Sequence, residues 1–423
     1  MPNNAILSPD QDQALRTIMG FLYAPNQDEL ALSGPAGVGK TFLTKLILAK
    51  ARDPKLAKML TLIMGQNTKL NVELTSSTNK AATVLANATF EEAQTVHKTL
   101  GLIVKNDYKT GVTKVVKTKN SKVLENTLLI VDEASMVNRQ LLTTIREQTH
   151  KCKVLYIGDA YQLAPVKENI SPVFKEVQQQ IKLTTIQRQQ PGNSIIPFAG
   201  DFRKALDTGK FPKIGTYGSN VIHLESKDFE QQIIKNFHMD MDPQHSRILA
   251  WTNNRVHEYN KYVRALYTNE VDYIEGEYLI TNQPIMENTT RIHKGEAVVM
   301  ISSITPDKEL GVDGWWVQLN GDDNCQHFMA KQPEHVQQML KHYAKHKDWK
   351  NYFEMKDFFI DLRPYYACTV NKAQGSTYQD VFIDVTDIGR NTKSNEIARL
   401  MYTAATRASR NIYLRGDLPT RLY

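Results

Sequence analysis

Lys40 and Thr41 end an octad, Gly34, Pro35, Ala36, Gly37, Val38, Gly39, Lys40 and Thr41, that reads GPAGVGKT. An apolar run, Leu30–Ser33, precedes it, and Phe42, Leu43, Leu46 and Ile47 recur behind it on one helical face. Glycines at that spacing, between a strand and a helix, form a P-loop. Its backbone N–H groups wrap phosphates while the helix N-terminus adds a favourable dipole. In such a loop Lys40 would bridge the β- and γ-phosphates of ATP, and Thr41 would ligate Mg²⁺. The run Leu128–Val131 ends in two acids, Asp132 and Glu133. Asp132 would hold the Mg²⁺ through water and Glu133 would polarise the attacking water. Tandem acids after a buried strand suit hydrolysis better than a kinase or a slow switch. A third motif, 158-GDAYQLAPV-166, puts Gln162 where an amide could sense the γ-phosphate. Taken alone, that stretch reads equally well as a surface turn.

These residues need strands to aim them. Val72–Ser76, Thr127–Val131 and Val154–Ile157 are short apolar runs, as expected of a parallel sheet buried on both faces. Lys80–Ala88 reads as a helix that Asn79 could cap. Strand-helix alternation of this kind predicts an α/β doubly wound domain. Thr99 to Asn120 breaks the rhythm and alternates around Lys109-Thr110-Gly111, as a β-hairpin does. A second α/β domain is expected from Gln189, with Arg247–Trp251 as one strand and Tyr366–Val370, Val381–Val385 and Ile412–Arg415 as later ones. Between them, residues 270–365 read as an insertion. Ala297–Ile301 and Trp315–Leu319 suggest a small barrel, and Pro333–Lys356 a polar helical stretch. His342 and His346 there have a metal-binding spacing, but no acid or cysteine completes a site, so a solvated face is the simpler reading.

The chain has 423 residues, too many for one core, so two or three domains are expected. Its formal charge of +7 suits an anionic partner, though weakly. Cys152, Cys325 and Cys368 are far apart and odd in number, which argues against a disulfide framework and for a reducing, cytoplasmic setting, as in a bacterium or phage-infected host. The N-terminus lacks a signal-peptide pattern, and no apolar run is long enough to span a membrane.

In this order the motifs resemble those of superfamily 1 helicases, in particular the RecD-like and Dda-like branch, over nearly the whole chain. Gln11 in LSPDQDQAL resembles that family's adenine-reading glutamine. Ile186-Gln187-Arg188 and Met401–Ala408 (MYTAATRA) are similar to the motifs whose arginines, here Arg188 and Arg407, reach the γ-phosphate. Cys368–Thr377 (CTVNKAQGST) resembles the late motif linking nucleic acid to nucleotide, with Gly375 on the nucleotide side; Asn371 stands where a histidine is common. By the same resemblance, Thr78, Asn79, Lys80, Thr95, His97, Thr252, Asn253, Thr369, Lys372 and Ser376 would contact DNA. Residues 99–122 are similar in position to the duplex-splitting pin, with Tyr108 near its tip to stack on a base; a solvated lysine-rich loop is the plain alternative.

The resemblance implies two RecA-like P-loop domains with parallel sheets, at 1–188 and 189–423. The first would carry the β-hairpin pin and the second an SH3-like β-barrel insertion at 270–365. It further implies an ATP- and Mg²⁺-dependent helicase that moves 5′ to 3′ on single-stranded DNA and opens fork duplex. Such a protein would be monomeric and free of membranes, with replication or single-strand-binding proteins as candidate partners. Rival readings are a kinase, a decayed binding module, an ATPase subunit of a larger nuclease machine and an RNA-directed helicase.

Overall fold

The computed structural model describes residues 7–55, 58, 71–118, 121, 123–166, 168–186, 193–238, 241–270, 272–287, 290–293, 295–321 and 325–423. Two parallel sheets organise it. The first runs Gln180–Lys182, Glu29–Ser33, Lys153–Gly158, Thr127–Asp132, Asn71–Ser76, Gln94–Thr95. Its central strands are apolar on both faces because helices cover both. Leu30, Leu32, Ile130 and Ile157 pack to one side, against Ile18, Leu43 and Ile47. Ala31, Leu129, Val131 and Tyr156 pack to the other, against Leu142 and Ile145. The second sheet runs Val221–Leu224, Ala408–Arg415, Tyr378–Asp384, Ser246–Ala250, Ala367–Thr369, again all parallel. The chain thus folds as two RecA-like α/β domains.

A third sheet, mostly antiparallel, runs Phe359–Ile360, His327–Ala330, Val312–Leu319, Val298–Glu309, Tyr278–Thr281, Leu362–Arg363. Leu279, Val299, Ile301, Trp315, Val317 and Leu319 fill its core. Trp316 lies at the rim, edge-on to Phe328 at 5.2 Å.

Several boundaries differ from expectation, each for a local reason. Thr78, not Asn79, caps the helix Asn79–Thr89, its hydroxyl accepting from Ala81 N at 3.2 Å. The strand expected over 366–370 is only Ala367–Thr369, because Thr369 caps a helical turn starting at Val370. The stretch 333–356 divides into Pro333–Lys345 and Trp349–Phe358, with Lys347 at a positive φ and Asp348 capping the second helix. The two strands expected in the insertion extend into a ribbon, Val298–Glu309 with Val312–Leu319. Its turn, Leu310 and Gly311, takes positive φ at both positions, as tight hairpins require.

The hairpin pairs Leu102–Asn106 with Thr113–Lys117, and its tip is docked. The Tyr108 ring meets Phe353 edge-on at 5.0 Å, and Asn106 Nδ2 donates to Asp357 at 3.5 Å. Gly111, at φ +69°, passes so close to Trp349 that a Cβ would lie 2.5 Å from its ring. Tyr108 remains 53% exposed, so one side of its ring is packed and the other faces solvent.

Candidate active site

The two RecA-like domains meet along a cleft. On the first domain, Gly39 takes φ +80° and turns the P-loop into the helix Lys40–Ala51. A Cβ there would lie 2.5 Å from Gln11 Nε2, so only glycine fits. Gln11 is fixed by a capping box with Ser8: Gln11 N donates to Ser8 Oγ, and Ser8 N to Gln11 Oε1. Its Nε2 donates to Val38 O at 2.8 Å, which leaves one N–H and one lone pair of the amide for a further partner. Asp10 accepts from Thr184 N and Thr185 N, both at 2.8 Å, and so ties this corner to the segment leading toward Arg188. Burial opposes ionisation of Asp10, but these bonds and that from Ser8 hold its carboxyl well below the usual range. Arg188 and Gln187 lie outside the described residues.

Lys40 Nζ donates to Gly34 O at 2.7 Å and to Pro35 O at 2.9 Å, across the mouth of the loop. Asp132 ends its strand facing that lysine. Burial, then the neighbouring Glu133, raise its carboxyl to about 7, with Lys40 pulling the other way. Glu133, just past the strand end, sits at φ +53°, a strained geometry for a non-glycine residue. Two adjacent, half-buried carboxyl groups beside a P-loop lysine are a donor set that suits a divalent cation. Thr41 lines the same cavity.

The second domain supplies the opposite wall. Gly375, Ser376 and Arg407 line the cavity that also holds Gly37, Gly39, Lys40, Asp132, Glu133 and Gln162. Arg407 is buried, which lowers its pKa, while the Glu133 charge favours the cation. Its N–H groups reach Thr403 O at 3.2 Å, Ser376 O at 3.1 Å and Thr406 Oγ1 at 3.1 Å. Of five guanidinium donors, two remain to face the cleft. Gln374 Nε2 donates across the domain boundary to Ser135 Oγ at 3.0 Å and to Gln162 Oε1 at 3.4 Å. Ser376, read from sequence among the DNA contacts, is thus on the nucleotide side.

A second cavity gathers Lys80, Asn253, Thr369 and Lys372. Thr78, Thr95, Thr252 and Thr369 prove to be helix N-caps, each accepting a backbone N–H through its hydroxyl oxygen. A capping hydroxyl keeps its own proton free to donate outward. Thr252 is the exception, since it donates to Asp387 Oδ1 at 2.8 Å. Thr95 and the half-buried His97, whose imidazole pKa burial lowers, lie outside this cavity at the far edge of the first sheet. Sequence reading missed the residues that close the cavity: Glu296, 3.6 Å from Lys80, Asn282, bonded to Lys372, and Arg363. They lie on the insertion and its return strand, and no local motif marks them.

The chain matches the family model described as AAA domain over residues 6–220 and that described as UvrD-like helicase C-terminal domain over 364–414. It is 25% identical over 461 residues to the ATP-dependent DNA helicase dda of Enterobacteria phage T4, with 96% of this chain and 98% of the relative covered. Identity is also 25% to uncharacterized protein R530 of Acanthamoeba polyphaga mimivirus, over 95% of this chain and 98% of that protein. The fold is similar to that of the Pif1 helicase from Bacteroides solved with ADP-AlF3 and ssDNA, at a TM-score of 0.51, 13% identity and coverage of 99% and 94%. The protein therefore belongs to the AAA-domain family and, within it, to the superfamily 1 helicases of the Dda-like branch.

Proposed function

We propose that this ATP-dependent DNA helicase moves 5′ to 3′ along single-stranded DNA and opens the duplex at a fork. The observation that carries the reading is the shared cavity. Lys40, Asp132, Glu133 and Gln162 come to it from one RecA-like domain, and Gly375 and Arg407 from the other. Catalysis there is a matter of placing charges around the γ-phosphate. Lys40 leaves its two carbonyl partners for the β- and γ-oxygens, Glu133 takes the proton of the attacking water, and Gln162 with Arg407 faces the charge that develops. Thr41 and Asp132 would hold Mg²⁺, which supplies neutralisation of phosphate charge. We assign Arg188 the role of a second finger and Gln11 that of base reader.

Because acid pair and finger sit on different domains, phosphate binding favours the closed cleft and its loss releases it. Single-stranded DNA would run over the cavity of Lys80, Asn253, Thr369 and Lys372, which spans both domains and the insertion. We read that insertion as SH3-like and the 102–117 hairpin as the pin. The T4 relative, a DNA helicase by name, supports DNA as the track, and the resemblance to the Dda-like branch is what suggests the polarity. Cys152, Cys325 and Cys368, odd in number and far apart in sequence, fit a reducing cytoplasm.

Two assays test this. Single-stranded DNA should stimulate ATP turnover at least about tenfold, and Lys40→Ala should abolish turnover with strand binding retained. Partial duplexes with a 5′ overhang should be opened and those with a 3′ overhang left intact; the opposite preference would overturn the polarity.

A further inference from the structure

The loop that carries Gln162 leaves the first domain's strand Lys153–Gly158, yet the second domain holds it. The helix Ser394–Ala405 presents Arg399, Tyr402 and Thr403 at i, i+3 and i+4, hence on one face. Arg399 Nη1 donates to Ala160 O at 2.6 Å and to Gln162 O at 2.7 Å. Tyr402 Oη donates to Asp159 Oδ2 at 2.5 Å, and Leu163 N donates to Thr403 Oγ1 at 3.2 Å. Asp159, Tyr402 and Thr403 are almost wholly buried, so these bonds are shielded from water. The turn that follows this helix carries Arg407, whose Nε returns to Thr403 O at 3.2 Å. Gln162 and Arg407 are therefore joined through one short set of hydrogen bonds, although they lie on different domains.

We propose that Arg399 is a positioning residue for Gln162. Its guanidinium, bonded to the carbonyls on both sides of Tyr161, holds the glutamine loop to the helix that leads into Arg407. Glutamine and arginine then meet the γ-phosphate as one unit when the cleft closes. The proposal rests on the ATPase reading above and adds a residue that touches neither nucleotide nor DNA. A planar fork with two N–H groups on one nitrogen suits two carbonyls converging from one loop, and a single ammonium reproduces the charge with less definite direction.

The test compares wild type, Arg399→Ala, Arg399→Lys, Gln162→Ala and the Arg399→Ala/Gln162→Ala double variant. It reads kcat and KM for ATP at saturating single-stranded DNA, affinity for ADP with aluminium fluoride, and melting temperature. Arg399→Ala should lower kcat roughly tenfold or more with KM within about twofold, as misplacement of a group acting in the transition state does. Arg399→Lys should recover part of the loss. The double variant should turn over no more slowly than Gln162→Ala, because a residue that acts only through glutamine has nothing left to position. Losses that multiply, a wild-type kcat in Arg399→Ala, or a fall explained by lost melting temperature in both Arg399 variants would overturn the proposal. A Gln162→Ala protein with wild-type turnover would instead sink the underlying assignment of Gln162.

Discussion

Asp132 shows how one side chain stores the demand for a cation. Its carboxyl, near 3.9 in an unfolded chain, is raised to about 7 by burial and by Glu133. A raised acid favours the protonated form in the folded state, so this group's ionisation costs stability as pH climbs from about 4 through 7. Asp132→Asn should therefore raise the melting temperature of the nucleotide-free protein by a few degrees at pH 8 and by little at pH 5, while ending ATP turnover. Thermal melts at the two pH values check this; an equal shift at both would contradict the origin given. Glu296 acts on the same scale, as an acid among Lys80, Lys372 and Arg363 that would compete with a DNA phosphate for Lys80. A half-buried pair 3.6 Å apart contributes on the order of 1 kcal/mol, so Glu296→Gln should tighten single-strand binding by up to about fivefold. The gain should vanish in a Lys80→Ala background, as fluorescence anisotropy titrations would show.

Among the elements, the caps and the hairpin carry most of the consequences. Thr78 and Thr369 start helices beside the second cavity with hydroxyl protons left to donate. Replacement by alanine removes a cap, at about 1 kcal/mol, together with an outward donor. Serine keeps both, so Thr78→Ser should restore stability and strand affinity where Thr78→Ala loses both. The hairpin tip is held by the helix Trp349–Phe358 through Tyr108, Asn106 and Gly111. Gly111→Val would strain a positive φ and force the tip off Trp349. Duplex opening should then fall several-fold while DNA-stimulated ATP turnover stays near wild type, because neither cavity involves the tip. Parallel losses in unwinding and turnover would count against a duplex-splitting role for the hairpin.

For the molecule as a whole, charge and cleft geometry act together. Strand affinity should fall with salt, since each phosphate contact on a single strand contributes about −0.7 to the slope of log K against log salt. Lys80→Ala should flatten the slope by one such step, and a slope left unchanged would remove Lys80 from the track. The cleft contacts Gln374–Ser135, Asp159–Tyr402 and Arg399–Gln162 all cross from one parallel sheet's domain to the other. Such bonds either form or break and do not stretch far, so on the reading proposed above they would couple nucleotide state to domain separation.

Much of this was legible in the sequence because the signals are local. GPAGVGKT needs only its own backbone and the elements on either side, and LLIVDE or VLYI announces a buried strand by its unbroken apolar run. Cap chemistry was partly visible, yet Asn79 and Thr78 compete for one helix start, and the backbone geometry chose the threonine. Beyond that, tertiary structure decided. Arg399 and Gln162 are 237 positions apart, and Asn106 and Asp357 are 251 apart. No periodicity links residues so distant, so their meeting is set only when two sheets and an insertion pack together. The sequence alone determined the chemistry that each half of the cleft can perform. Only the packed structure determined which side chains tie those halves into one moving site, because those bonds exist only between elements that folding brings together.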